Sequence, residues 1–153
     1  LAASPPPDSP VAWLAGLAVH TPAADLSPQQ LAWLGDAVWE LHQRLIQCRR
    51  PARPLEFHRA VVGRVRAPAQ AEALRRLEPR LRPQELELVR RGRNRAGRGP
   101  RGGDPALYGQ ATGFETMLGW LFLRDPQRLA ELLDAIESPQ PPSPPDGHSP
   151  PRP

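Results

Sequence analysis

Two carboxylates stand where a carboxylate is expensive. In the run Leu31-Ala32-Trp33-Leu34-Gly35-Asp36-Ala37-Val38-Trp39, Asp36 is the single ionisable group, and from Ala111 to Leu123 Glu115 is the single charge in thirteen residues. An acid on an apolar helix needs a compensating partner, because burying an unpaired charge costs more than folding can spare. One partner is a shared hard cation: Mg²⁺ takes one or two carboxylates and completes its shell with water and phosphate oxygens. The other is an arginine for each acid, and with 20 arginines and no lysine the chain has many to offer. The residues alone leave both open.

Helices must position these acids. Ser27-Pro28-Gln29-Gln30 reads as an N-cap, a proline at the first helical position and a polar residue three on, opening a helix that runs to about Cys48. Leu31, Leu34, Val38, Leu41 and Leu45 make its apolar stripe. At about 100° per residue Asp36 lies nearly opposite that stripe, with Trp33 and Trp39 about 60° to either side. This second face is too apolar to be simply wet, and it calls for cover by another helix or another subunit. Further helices are expected over Leu55 to Val65, from Pro68 through Leu77, from near Pro83 with Leu86, Leu88 and Val89, and from Asp104-Pro105 to Phe122 or Leu123. A last amphipathic helix follows Asp125-Pro126, with Leu129, Leu132, Leu133 and Ile136 on one face. Gly113 and Gly119 would let the Glu115 helix approach a neighbour closely. The glycine-rich run from Arg91 to Gly103 reads as a loop. With no strand-like alternation and no internal repeat, the fold class is all-α.

Proline sets the boundaries. Residues 1–25 read as an extension with a proline-rich start, 26–137 as one helical domain, and 138–153 as a proline-rich disordered tail. The interval from Arg44 to Arg101 holds 17 of the 20 arginines and five acids, an excess of +12, while the remainder carries −8. Such a basic middle fits a polyanion, with nucleic acid foremost, although a solvated arginine-rich surface would look the same. The lone Cys48 excludes an internal disulfide framework and a multi-thiolate zinc site, which favours a reducing, cytoplasmic setting. The apolar run Val11 to Val19 is too short to span a bilayer, so no membrane association is expected.

Leu34-Gly35-Asp36-Ala37-Val38, followed by Phe114-Glu115-Thr116-Met117-Leu118-Gly119, resembles the catalytic domain of ribonuclease III. Ala69-Gln70-Ala71-Glu72-Ala73-Leu74 and Val89-Arg90-Arg91-Gly92-Arg93-Asn94 look like internal motifs of its short branch, the Mini-ribonucleases III. The resemblance covers about residues 28 to 135. It implies an all-helical homodimeric endoribonuclease that hydrolyses double-stranded RNA with Mg²⁺, Asp36 and Glu115 being the catalytic metal ligands. Trp33 stands where the family places an aromatic that plugs the partner subunit. The substrate so implied is the paired stem of precursor 23S ribosomal RNA, and the proline-rich tail is expected to carry no double-stranded-RNA-binding domain, as in the short branch. Full-length ribonucleases III have two more carboxylates, at positions that here are Ala32 and Thr112, so the number of metal ions is left open. A non-catalytic RNA-binding protein on the same fold is the alternative, and the retained acids argue against it.

Arg91, Arg93, Arg95, Arg98 and Arg101, with no acid among them, are the expected RNA-binding residues. Glu40 could support Asp36 or pair with Arg44 four residues on. His58 is expected to be structural or RNA-facing, Asn94 to bond a loop backbone, and Tyr108 either to cap the long helix or to touch RNA.

Overall fold

Prolines open the helices. The computed structural model describes residues 12–138, and over these the chain forms α1 (Ala12–Val19), α2 (Pro28–Cys48), α3 (Pro54–Val65), α4 (Ala67–Leu77), α5 (Pro83–Arg95), α6 (Pro105–Arg124) and α7 (Pro126–Glu137), with 3-10 turns at Ala23–Asp25 and Glu78–Arg80. Proline takes the first helical position in α2, α3, α5, α6 and α7 and the second in α4, where its missing N–H costs nothing. Ser27 and Gln30 form the expected reciprocal cap of α2: the Gln30 amide donates to Ser27 Oγ (3.2 Å) and the Ser27 amide to Gln30 Oε1 (2.9 Å). Asp104 and Asp125 cap α6 and α7 by accepting from the amides of Ala106 and Arg128. No strand occurs among the described residues. The proline-rich stretches 1–11 and 139–153 lie outside them, while α1 and the turn at Ala23–Asp25 fall within the stretch read as an extension, with Ala23 buried.

Helix α6 is the axis of the fold, packing against α2, α4, α5 and α7. Phe114, Met117, Leu118 and Leu121 are fully buried in it and meet Trp39, Leu74, Leu77, Leu88, Leu132 and Ile136. The Trp39 ring stands edge-on to Phe114 at 5.2 Å, and its Nε1 donates to the Arg64 carbonyl (3.1 Å), so its one polar atom is satisfied inside the core.

The fold turns only part of the α2 stripe inward. Leu31, Ala32, Gly35, Trp39 and Gln43 are buried, Leu34 and Val38 are half-buried, and Leu41 and Leu45 are exposed together with Trp33, which is 68% exposed. Trp39, expected beside Trp33 on the second face, is core, and Asp36 lies at the edge of the buried face. Small side chains decided this orientation, since only Ala32 and Gly35 let α6 come close.

The expected break at Arg91 does not occur. Helix α5 continues to Arg95 because Gly92 is a contact residue: a Cβ there would come within 2.8 Å of Gly113 Cα and 2.4 Å of Thr116 Oγ1 on α6. Arg91, Arg93 and Arg95 therefore sit on a helix, and only Arg98 and Arg101 are in the loop.

An ion pair locks α7 to α5. Arg128 donates through Nε and Nη2 to the two Glu85 oxygens (2.8 and 3.1 Å) and through Nη2 to the Arg80 carbonyl (2.8 Å). Burial pushes the Glu85 carboxyl up, but the bonds from Arg128 and the Arg82 amide outweigh it and hold the carboxyl below its ordinary range. Arg128→Ala would strand a carboxylate that is 2% exposed. It is expected to cost about 3 kcal/mol in urea denaturation, against under about 1 kcal/mol for the exposed neighbour in Glu131→Gln. Equal costs for the two variants would contradict this role.

Candidate active site

Two glycines bring the acids together. At the crossing of α2 and α6, a Cβ on Gly35 would lie 1.8 Å from the Glu115 carbonyl oxygen, and a Cβ on Gly119 would lie 2.0 Å from that of Leu31. No other residue permits backbones this close. Asp36 follows Gly35 directly, so backbone contact at Gly35 and Glu115 puts the two carboxyl groups on one rim of the crossing. Buried Thr116 ties the helices beside them, its hydroxyl lying 2.8 Å from the Thr112 carbonyl and 3.2 Å from that of Pro28.

Burial and a neighbouring acid make both carboxylates unfavourable. Burial, then the charge of Asp36, pushes the Glu115 carboxyl up to about 7, against the favourable effect of the Gln70 side chain turned towards it. Asp36 is also raised, by burial and then by Glu40. Being more exposed, Asp36 ionises first, and its charge then opposes the ionisation of Glu115. Among the described residues neither acid is in an ion pair, so arginine compensation, open on sequence grounds, is not what the fold provides. Two neighbouring carboxylates, both made unfavourable by burial and Glu115 further by the charge of Asp36, suit a divalent cation. Two protein ligands leave the rest of its shell to water and substrate oxygens.

The other candidates fall around this pair. Glu40 forms its ion pair with Arg44 and also bears on Asp36. Ala32 is buried against α6, and the Thr112 hydroxyl donates back to the Tyr108 carbonyl (3.0 Å), so neither position adds a ligand. His58 is exposed on α3. Asn94 is on α5, not in a loop, and stands between two clefts. One, of 410 Å³, is lined by Arg90, Arg93, Asn94, Pro105, Ala106 and Gly109; the other, of 230 Å³, by Pro28, Arg91, Asn94 and Arg95. Neither Asp36 nor Glu115 lines these clefts. Arg91, Arg93, Arg95, Arg98 and Arg101 are all exposed and form no ion pair among the described residues. Gln70 was not singled out from sequence. Its signal was a polar residue fixed among alanines in Ala69-Gln70-Ala71, on a helix face that is otherwise small and buried.

Known proteins resemble this chain over most of its length. The Ribonuclease III domain family matches residues 29–126. A protein called Mini-ribonuclease 3 from Synechococcus sp. is 54% identical over 114 residues, covering 74% of this chain and 83% of the relative. A Gloeobacter violaceus protein of the same name is 46% identical over 125 residues, covering 82% and 93%. A crystal structure of a Fusobacterium nucleatum protein superposes with a TM-score of 0.67 at 24% identity over 73% of this chain and 92% of that one, and supports the all-helical fold. No helix among the described residues is long and apolar enough to cross a membrane. The chain therefore belongs to the ribonuclease III domain family, in the branch whose members are called Mini-ribonuclease 3, and is an endoribonuclease of that type.

Proposed function

We propose that this endoribonuclease cuts double-stranded RNA with Mg²⁺ held by Asp36 and Glu115, and that it works in the cytoplasm as a homodimer on the paired stem of precursor 23S ribosomal RNA. The observation that carries the reading is the uncompensated acid pair at the α2/α6 crossing. A bound divalent cation supplies there the Lewis-acid charge that phosphodiester hydrolysis needs. Asp36 and Glu115 hold it, Glu115 after losing a proton near neutral pH. Gln70 orients the Glu115 carboxyl from beneath, and the backbone contact at Gly35 fixes the spacing between the two acids. The exposed guanidinium groups of Arg91, Arg93 and Arg95 on α5, and of Arg98 and Arg101 beyond it, can follow a phosphate backbone. A-form RNA is recognised mainly through that backbone and its shape. The 23S stem as substrate is supported by likeness to the Mini-ribonuclease 3 branch.

A second copy of the chain is the occupant that fits the uncovered face of α2. Trp33, Leu41 and Leu45 are exposed along it, a contiguous apolar set of the kind that marks an interface. Trp33→Ala should weaken the dimer by about 2 kcal/mol or more, seen as dissociation in sedimentation at low concentration. A fully dimeric variant would place Trp33 outside the interface.

Incubation with duplex RNA, single-stranded RNA and duplex DNA, each with Mg²⁺ or EDTA, tests the activity. Cleavage confined to duplex RNA with Mg²⁺ is expected, and on a precursor 23S stem it should occur at defined positions on both strands. Binding of duplex RNA without cleavage would favour the non-catalytic alternative.

A further inference from the structure

The loop after α5 rests on one aromatic ring. Gly99 has φ +74°, and a Cβ built on it would lie 2.7 Å from Cγ and 2.8 Å from Cδ1 of Tyr108. The backbone of Gly99 is thus laid flat against the ring. Tyr108 is itself anchored on α6: it lies in the first turn, its amide donates to the Asp104 carbonyl (3.0 Å), its carbonyl accepts from Thr112 Oγ1 (3.0 Å), and its side chain is half-buried. Beyond the contact the chain turns, the Gly103 amide donating to the Pro100 carbonyl (3.2 Å). Arg98 and Arg101 lie to either side of the fixed point and are exposed.

We infer that Tyr108 is a positioning residue for substrate, a platform that pre-orders the Arg98 to Arg101 segment so that its guanidinium groups meet the phosphates of an RNA duplex without first ordering the loop. The sequence left Tyr108 between capping the helix and touching RNA; the cap is made by Asp104. A loop held in its bound shape avoids the entropy of ordering when it binds, so the contribution appears in affinity and KM, with kcat spared. Gly99 is required for the same reason, since any side chain there meets the ring and the left-handed backbone disfavours it. The inference rests on the RNA reading of these arginines.

The test is binding of a perfectly paired RNA duplex in EDTA, with steady-state cleavage in Mg²⁺ alongside. Tyr108→Ala and Gly99→Ala are each expected to raise Kd and KM about tenfold and to leave kcat within about twofold. Tyr108→Phe keeps the ring and should bind like wild type. Tyr108→Ala/Gly99→Ala should bind no more weakly than either single variant, because both remove one contact. Gly99 lies in an exposed loop, so its variant reports even where Tyr108→Ala lowers the melting temperature. Wild-type affinity in Tyr108→Ala and Gly99→Ala, multiplied effects in the double variant, or a loss in Tyr108→Phe equal to that in Tyr108→Ala would each overturn the inference. In the last case the hydroxyl would be contacting RNA directly. Unchanged affinity after replacing Arg95, Arg98 and Arg101 together would instead remove the RNA reading on which it rests.

Discussion

Glu115→Gln is expected to abolish Mg²⁺-dependent cleavage of duplex RNA and, at pH 8 without metal, to make the protein more stable. The first effect follows from the loss of half of the charge that holds the cation. Lewis-acid stabilisation amounts to several kcal/mol of the barrier, so the rate should fall by about a thousandfold or more. Asp36→Asn should do the same. The second effect follows from linkage. The Glu115 carboxyl, raised to about 7 in the folded chain, favours folding fully only below its ordinary value of 4.5, and that contribution is lost as pH rises through 7. Above pH 7 the ionised side chain costs on the order of 3 kcal/mol, which glutamine removes at almost unchanged volume. Urea denaturation of both proteins in EDTA should therefore show nearly equal stability at pH 5 and a more stable variant at pH 8. A stability difference independent of pH would contradict the environment described for Glu115.

Replacing Arg95, Arg98 and Arg101 by alanine should weaken duplex binding by about a hundredfold at moderate salt and flatten the log–log salt dependence by up to about one unit per lost phosphate contact. All three are exposed and without an ion-pair partner among the described residues, so their charge is available to RNA. Arg95 projects beside Arg91 at the cleft against Pro28, whereas Arg98 and Arg101 belong to the loop held on Tyr108, so the loss should divide unequally between single variants. Turnover at saturating RNA should fall much less, since Asp36 and Glu115 are untouched. Filter binding of one duplex over a range of salt concentrations measures this. An unchanged slope would mean that these arginines are solvated and that the duplex lies elsewhere.

The helix starts were legible because the chain marks them chemically. A proline at or next to the first helical position, with Ser27, Asp104 or Asp125 as cap, restricts the backbone whatever the tertiary context. The candidate acids were legible for a related reason: a lone charge on an apolar helix is a cost that something must offset, and the matched family model spans both. What could not be read was which apolar face of α2 turns inward. Both faces carry large hydrophobic residues, and Leu41 and Leu45 are as apolar as any in the core. The deciding residues, Ala32 and Gly35, act by what they lack, and their meaning depends on Gly119 over eighty positions away. Gly92 misled in the same way. A glycine in an arginine-rich run has the composition of a loop, and only the α6 backbone opposite shows that it serves packing. Gln43 is the counterpart among polar residues: fully buried, its Nε2 donates to Glu137 (3.2 Å), an arrangement made by the end of α7, which no local pattern in α2 announces.

If Asp36 and Glu115 hold a divalent cation between them, calorimetric titration of the RNA-free protein with Mn²⁺ or Mg²⁺ near pH 7, in two buffers of different ionisation enthalpy, will register both the ion and a displaced proton. With the Glu115 carboxyl pushed up to about 7, a fraction of the molecules is protonated there, and binding must displace that proton. The wild-type protein should bind the cation with an observed enthalpy that differs between the buffers by the released fraction of a proton. Asp36→Asn and Glu115→Gln should bind neither ion over the same range. Undiminished binding by Glu115→Gln, or binding by the wild type with no dependence on buffer, would contradict the assignment of this carboxylate pair as the metal site.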